Sequence, residues 1–205
     1  MKQPIANYER NVFINCPFDE KYEEIFNAIL FVVHKCGFIL RCAKEYEDSS
    51  SIRIQNIVQL IRESKYSIHD LSRVALSETE NLPRFNMPLE LGICIGAIEF
   101  GTKRQRLNQY LIIESQKFRF KQFISDLSGQ DIKEHKDSVE EAIKIIRNWL
   151  STKTPDKLPS ASKIIYEYKL FQESLPSLCE ENNWLPNELT FGEYSSLVTS
   201  WLTLE

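Results

Sequence analysis

The chain lacks the features that mark nucleic-acid-binding, secreted and membrane-spanning proteins. Its 205 residues carry a formal net charge of −4, and no block of lysine and arginine supplies the positive field that holds nucleic acid. The N-terminus has no basic-then-apolar signal pattern, and the longest apolar run, around Phe31, is too short to span a bilayer. We therefore expect a cytoplasmic protein that binds neither nucleic acid nor a membrane.

Metal-binding and disulfide patterns are also missing. The five cysteines are an odd number, and the sequence contains no CxxC and no Cys/His spacing of the kind that holds a metal ion. Four of the five lie within apolar segments. The sequence therefore predicts reduced core cysteines and no metal site.

Three common catalytic motifs are absent. The sequence has no G-x-G-x-x-G, no Walker lysine loop and no Ser/His/Asp order, which disfavours a dinucleotide dehydrogenase, a P-loop enzyme and a triad hydrolase. Internal repeats and low-complexity segments are also missing. Hydrophobic residues make up 42% of the chain, enough to bury a substantial core.

What the sequence does contain is an alternation of strand and helix patterns. Short β-branched and aromatic runs predict strands at 11–15, 38–42, 66–71 and 109–114, with a fifth short strand opening near 131–132. Helical spacing predicts helices at 20–35, 52–63, 86–100 and 137–150, and a short helix within 118–130. This alternation predicts an α/β fold with a doubly wound parallel sheet of about five strands.

The composition changes near residue 151. We expect an α/β domain over 1–150, a two-proline linker over 151–160 and a small C-terminal helical appendage over 161–205, whose first helix is interrupted at Pro176. The appendage is rich in aromatic residues (Tyr166, Tyr168, Phe171, Phe191, Tyr194 and Trp201). These side chains favour a homo-oligomer, although the α/β domain could equally cover them.

The helix predicted at 86–100 carries the strongest functional signal. Its body is apolar nearly all round, which is typical of a helix buried against a sheet, with Asn86 as its N-cap and Gly101 as its stop. Glu90 is the exception, because it is a carboxylate in the first turn, where the helix dipole favours negative charge. It is either a simple helix charge or a catalytic carboxylate.

Other polar residues follow the predicted strands. Because ligands of open α/β sheets bind outside the carboxyl ends of the strands, Glu90 and Asp70 are predicted as a catalytic pair. His69 and Asp70 point to opposite faces of their strand, so one of them is structural. The predicted substrate-binding residues are Asn15, Cys16, Phe18, Arg41, Ser72, Arg73, Phe85 and Asn86.

Three segments resemble the nucleoside 2-deoxyribosyltransferase-like proteins. The run Val12-Phe13-Ile14-Asn15-Cys16-Pro17-Phe18 resembles their first strand and Pro-Phe loop, and the run from Ser64 to Leu71 resembles their third strand. Pro88-Leu89-Glu90-Leu91-Gly92 resembles their Glu-x-Gly helix start. The sequence departs from the family at 85–87, where Phe-Asn-Met replaces an Asp-x-Gly segment. TIR domains share this flavodoxin-like layout.

The resemblance implies an N-glycosidase or glycosyltransferase that cleaves the base–ribose bond of NAD or a related nucleotide, with no cofactor besides this substrate. Glu90 would attack or stabilise the ribosyl cation, Asp70 would contact the ribose or base, and the 15–18 loop would form the wall of the pocket. Standalone bacterial proteins of this kind often look like effectors or sensors in antiphage defence, so the resemblance also implies an antiphage defence effector with a partner defence protein. The alternative is a nucleotide-binding sensor that uses the same cleft without catalysis.

Overall fold

A five-stranded parallel sheet organises the protein. The computed structural model describes residues 6–46, 51–72 and 84–204. Its strands are β1 (Asn11–Asn15), β2 (Ile39–Cys42), β3 (Tyr66–Asp70), β4 (Gln109–Glu114) and β5 (Lys133–Glu134). They pair in parallel in the order β2-β1-β3-β4-β5. This is the flavodoxin-like order, so the predicted fold class is confirmed.

Helices cover both faces of the sheet. They are α1 (Glu23–Lys35), α2 (Arg53–Glu63), α3 (Asn86–Phe100), α4 (Val139–Leu150), α5 (Ala161–Glu181) and α6 (Phe191–Leu204). Side chains alternate along β1, so Val12 and Ile14 join the core under α1 and α4, while Phe13 joins the cluster under α2 and α3. Among the described residues, no helix is both long and apolar enough to cross a bilayer.

The C-terminal helices share the core of the α/β domain. α5 packs on α4 and α1, and α6 packs on α1. Tyr168, Phe171 and Tyr194 are buried there, whereas Tyr166 is exposed. Most of the aromatic side chains that favoured a homo-oligomer are thus covered by the protein itself, and the homo-oligomer stays a prediction.

Helix α3 is less buried than its composition suggests. Met87, Leu91 and Cys94 pack inward, but Leu89 is 57% exposed and Phe100 is 87% exposed. The predicted burial against the sheet is confirmed for the inner face. The outer face, although also apolar, is exposed, because the sheet covers only one side of the helix and no other element that the structure describes covers the second side.

Several local predictions need correction. The N-cap of α3 is Phe85 rather than Asn86, and that of α4 is Ser138, whose hydroxyl accepts a hydrogen bond from the Glu141 N–H at 3.3 Å. Helix α5 continues through Pro176. The short helix predicted within 118–130 is instead two 3-10 turns, Arg119–Gln122 and Ser125–Leu127. Strand β5 begins two residues after the predicted position.

Candidate functional site

Glu90 lies beside a pocket between α2 and α3. The pocket has a volume of about 190 Å³ and is lined by Arg53, Ile54, Ile57, Asn86, Leu89 and Glu90. Glu90 is only 6% exposed, and its carboxylate has no hydrogen-bond partner among residues 6–46, 51–72 and 84–204. A buried carboxylate without a partner is costly to keep ionised, so its chemistry is set by its surroundings.

Burial changes the acidity of Glu90. Desolvation raises the pKa of its carboxyl from 4.5 to about 7, and the positive charge of Arg53 opposes this rise. Near neutral pH the group is therefore divided between its acid and its carboxylate form. A pKa close to the working pH is what a catalytic acid, base or nucleophile requires.

Exposed apolar side chains surround this pocket. Ile54 and Leu89 line it and are 41% and 57% exposed, and the residues that cap α2 and α3, Ile52 and Phe85, are 58% and 65% exposed. Single exposed apolar residues are ordinary, but several around one pocket indicate a binding surface. The pocket therefore combines one carboxylate, one guanidinium and an apolar rim.

Asp70 belongs to a different environment. It is fully buried, and its carboxylate accepts hydrogen bonds from the Tyr22 hydroxyl and from the Ser72 N–H at 2.7 Å, while His135 Nε2 lies 3.0 Å from it. It does not line the pocket beside Glu90. The structure thus does not bring the two predicted catalytic carboxylates into one cavity, and the contacts of Asp70 are those of a structural group.

Ser72, His135 and Asp70 together superficially suggest a catalytic triad. The Ser72 hydroxyl lies 2.9 Å from His135 Nε2, which is the same nitrogen that contacts Asp70. A triad needs the serine and the carboxylate on opposite ring nitrogens. Here His135 Nδ1 is buried and has no partner among the described residues, and the whole cluster is closed to solvent. The arrangement cannot act as a nucleophilic triad.

His69 is held on the other face of β3. The Asn15 amide donates to His69 Nδ1 at 3.0 Å and to the Met87 carbonyl at 2.8 Å, so His69 Nε2 carries the proton that is donated to Ser67 Oγ, also at 3.0 Å. Burial lowers the pKa of His69 to about 3, which keeps it neutral. Asn15 thus joins β1 to the start of α3, and its amide is used within the fold.

The remaining predicted residues occupy several positions along the strand ends. Cys16 is buried, and burial raises the pKa of its thiol, with added contributions from the negative charges of Asp70 and Glu90. Phe18 packs edge-on against Phe26, and Lys44 lies over both rings. Neither Cys16 nor Phe18 lines the pocket beside Glu90.

Arg41 is occupied by ion pairs, at 2.8 Å to Glu45 and 3.5 Å to Glu63. Asn86 lines the Glu90 pocket, and Phe85 comes directly before it. Arg73 lies outside the described residues. Of the predicted substrate-binding residues, the structure therefore places Asn86 in the pocket and Phe85 next to it.

Sequence reasoning missed two residues that the structure makes prominent. Arg53 is the first residue of α2 and lines the Glu90 pocket; its place at the start of a helix after β2 was the available signal. His135 follows β5 directly, at the same sheet edge as the other strand ends.

Glu114, at the end of β4, is a further buried carboxylate at this sheet edge, and burial raises its pKa to about 7.

Comparison with known proteins gives no match. No protein-family model matches the chain, and no curated protein or solved structure is significantly similar to it. The geometry of the site therefore carries the functional argument by itself.

Proposed function

We propose that Glu90 is the catalytic carboxylate of an N-glycosidase or glycosyltransferase acting on NAD or a related nucleotide. The observation that carries this proposal is the buried Glu90 carboxylate, which accepts no hydrogen bond from the described residues, with its pKa raised to about 7, facing a pocket with an apolar rim. Carboxylates suit this chemistry because they attack or stabilise the oxocarbenium ion that forms at the sugar C1.

The reaction breaks the bond between C1 of ribose and the base nitrogen, and the bonding electron pair leaves with the base. The ionised Glu90 supplies negative charge to C1 as positive charge develops there. Water, or an acceptor hydroxyl in the transferase case, then adds to C1 and loses a proton. Because Glu90 acts in its ionised form, base release should increase as pH rises through about 7.

The shape of the pocket limits what it holds. A volume of about 190 Å³ lies below the range of about 300–1,000 Å³ that is common for sites of drug-sized ligands. The pocket therefore takes the ribosyl part of a substrate, and the planar base lies on the rim formed by Phe85, Leu89 and Ile54. Arg53 binds a ribose hydroxyl or a phosphate oxygen.

One observation favours a second candidate, a nucleotide-binding sensor without turnover. Asp70 is buried in the core, and among the residues that the structure describes Glu90 is the only carboxylate that lines the pocket. A sensor needs no second acid or base. It would be stabilised by its ligand through mass action, and no product would form.

The test compares the wild type with Glu90→Gln and with Glu99→Gln, which changes an exposed carboxylate on the same helix. Each protein is incubated with NAD, NADP and a panel of nucleosides, and free base is measured by chromatography. We expect release by wild type and Glu99→Gln, and a loss of at least about 100-fold in Glu90→Gln, the scale of a positioned catalytic group.

Equal turnover by wild type and Glu90→Gln would exclude Glu90 as the catalytic residue. Absence of product from every protein, together with a rise in melting temperature on adding nucleotide, would favour the sensor.

A further inference from the structure

The loop that follows β4 contains a second cavity, separate from the Glu90 pocket. It has a volume of about 470 Å³ and is lined by Gln116, Lys117, Phe118, Arg119 and Gln122. The volume is within the range of small-molecule sites. The cavity lies at the carboxyl edge of the parallel sheet, where open α/β sheets bind their ligands.

The charged side chains of this loop are all positive. Lys117, Arg119 and Lys121 form no ion pair with the acidic side chains that the structure describes, although the whole chain carries a net charge of −4. Glu134 touches the loop, but its carboxylate accepts the Lys117 backbone N–H at 2.8 Å. The positive charge of Arg119 lowers the pKa of the buried Glu114 carboxyl without an ion pair, so the loop keeps a surplus of positive charge.

The ring of Phe118 contacts two of these cations. The Lys117 and Lys121 ammonium groups lie 5.1 Å and 4.7 Å from the centre of its ring, close enough for cation–π attraction. Holding two ammonium groups at one ring opposes their mutual repulsion and raises the local positive potential. The loop is thus organised around this aromatic side chain.

The backbone of Phe118 is strained to reach this position. Its φ is 66°, in the left-handed region that bulky residues avoid, and its side chain is 56% exposed. Because the Phe118 side chain is exposed, its packing contacts do little to offset this strain. Strained residues of this kind occur most often at binding sites.

We propose that this loop binds the phosphate group of a phosphorylated small molecule. The Arg119 guanidinium and the Lys117 ammonium bind the phosphate oxygens, and the Gln116 and Gln122 amides add neutral donors. The proposal uses none of the residues of the Glu90 pocket, so it stands independently of the proposed glycosidase activity.

The test is a titration followed by amide chemical shifts in the ¹⁵N–¹H spectrum of the full chain. The probes are inorganic phosphate, AMP and adenosine. We expect phosphate and AMP to shift the amides of residues 116–122 and adenosine to leave them unchanged. The affinity should fall as chloride is added, because charge dominates the interaction.

Two variants make the test specific. Lys117→Gln with Arg119→Gln should weaken phosphate binding at least about tenfold, as expected for lost charge-assisted hydrogen bonds. Lys144→Gln removes one positive charge from an exposed lysine on α4 and should bind like wild type. Glu90→Gln should also bind phosphate like wild type, so failure of the glycosidase proposal and failure of this one are distinguishable.

The remaining outcomes are decisive. Tighter binding of AMP than of phosphate supports the site and identifies a nucleotide as its ligand, with the base on Phe118. Equal affinity supports the site and identifies free phosphate. Absence of shifts in the loop with both phosphate probes, or an equal loss of binding in Lys144→Gln, would overturn the proposal.

Discussion

Replacing Glu90 by glutamine should change how the stability of the protein depends on pH. In the folded state burial raises the pKa of Glu90 from 4.5 to about 7. Below about pH 4.5 the group is protonated in both folded and unfolded chains and adds no penalty. As pH rises towards 7, the unfolded chain releases the proton while the folded protein retains it, so the wild type loses stability.

The size of this effect follows from the two pKa values. Each pH unit over which the two states differ by one proton corresponds to about 1.4 kcal/mol. Between about pH 5 and about pH 8 the difference spans about two units, so the wild type loses about 2.5 kcal/mol relative to Glu90→Gln. For a chain of this length that is about 5–10 °C in melting temperature.

The assay is urea denaturation of both proteins at intervals across this pH range. The free energy of unfolding of Glu90→Gln minus that of the wild type should grow by about 2.5 kcal/mol as pH rises. Glu114, whose pKa burial also raises to about 7, is present in both proteins and cancels in the difference. The exposed variant Glu99→Gln should show no such growth. A difference for Glu90→Gln that does not change with pH would show that Glu90 has an ordinary pKa in the folded state.

Two further changes test the neighbouring groups. Arg53 lowers the pKa of Glu90, so Arg53→Gln should move the midpoint of the pH–rate profile to higher pH. The control variant Arg62→Gln, farther along α2, should leave the midpoint unchanged. An unchanged midpoint in Arg53→Gln would show that Arg53 does not influence the catalytic carboxylate. Tyr22→Phe removes the hydroxyl that donates to Asp70 and should lower the free energy of unfolding by about 1–3 kcal/mol in urea denaturation. The same change at exposed Tyr166 should cost little, and an equal loss at both positions would contradict a structural role for the Asp70 cluster.

Local patterns were sufficient for the fold class. The alternating side chains of β1, with Val12 and Ile14 on one face and Phe13 on the other, are visible in the sequence and agree with the structure. Gly37, the residue after the C-cap of α1, has a φ of 79°, as the common glycine stop signal of helices indicates from sequence. These predictions succeed because each depends on residues within one or two helical turns.

Helix ends and the exposure of α3 were harder to predict. Asn86 is a good cap by composition, yet Phe85 takes that position, since the chain before a helix is placed by its other contacts. The outer face of α3 is apolar in sequence and exposed in the structure. Whether a second layer covers an apolar face depends on the other helices of the fold, and the sequence of α3 contains no information on that.

The site shows the same division. The prediction of Glu90 needed only the sequence, because a single acidic residue in an apolar helix start is a local pattern. Only the tertiary structure decided that Asp70 is separate from it, since Asp70 is held by Tyr22, 48 residues earlier, and by His135, which lies 63 residues beyond Ser72. The burial of both carboxylates, and with it the raised pKa of Glu90, is produced by residues that come together only when the sheet and its helices assemble.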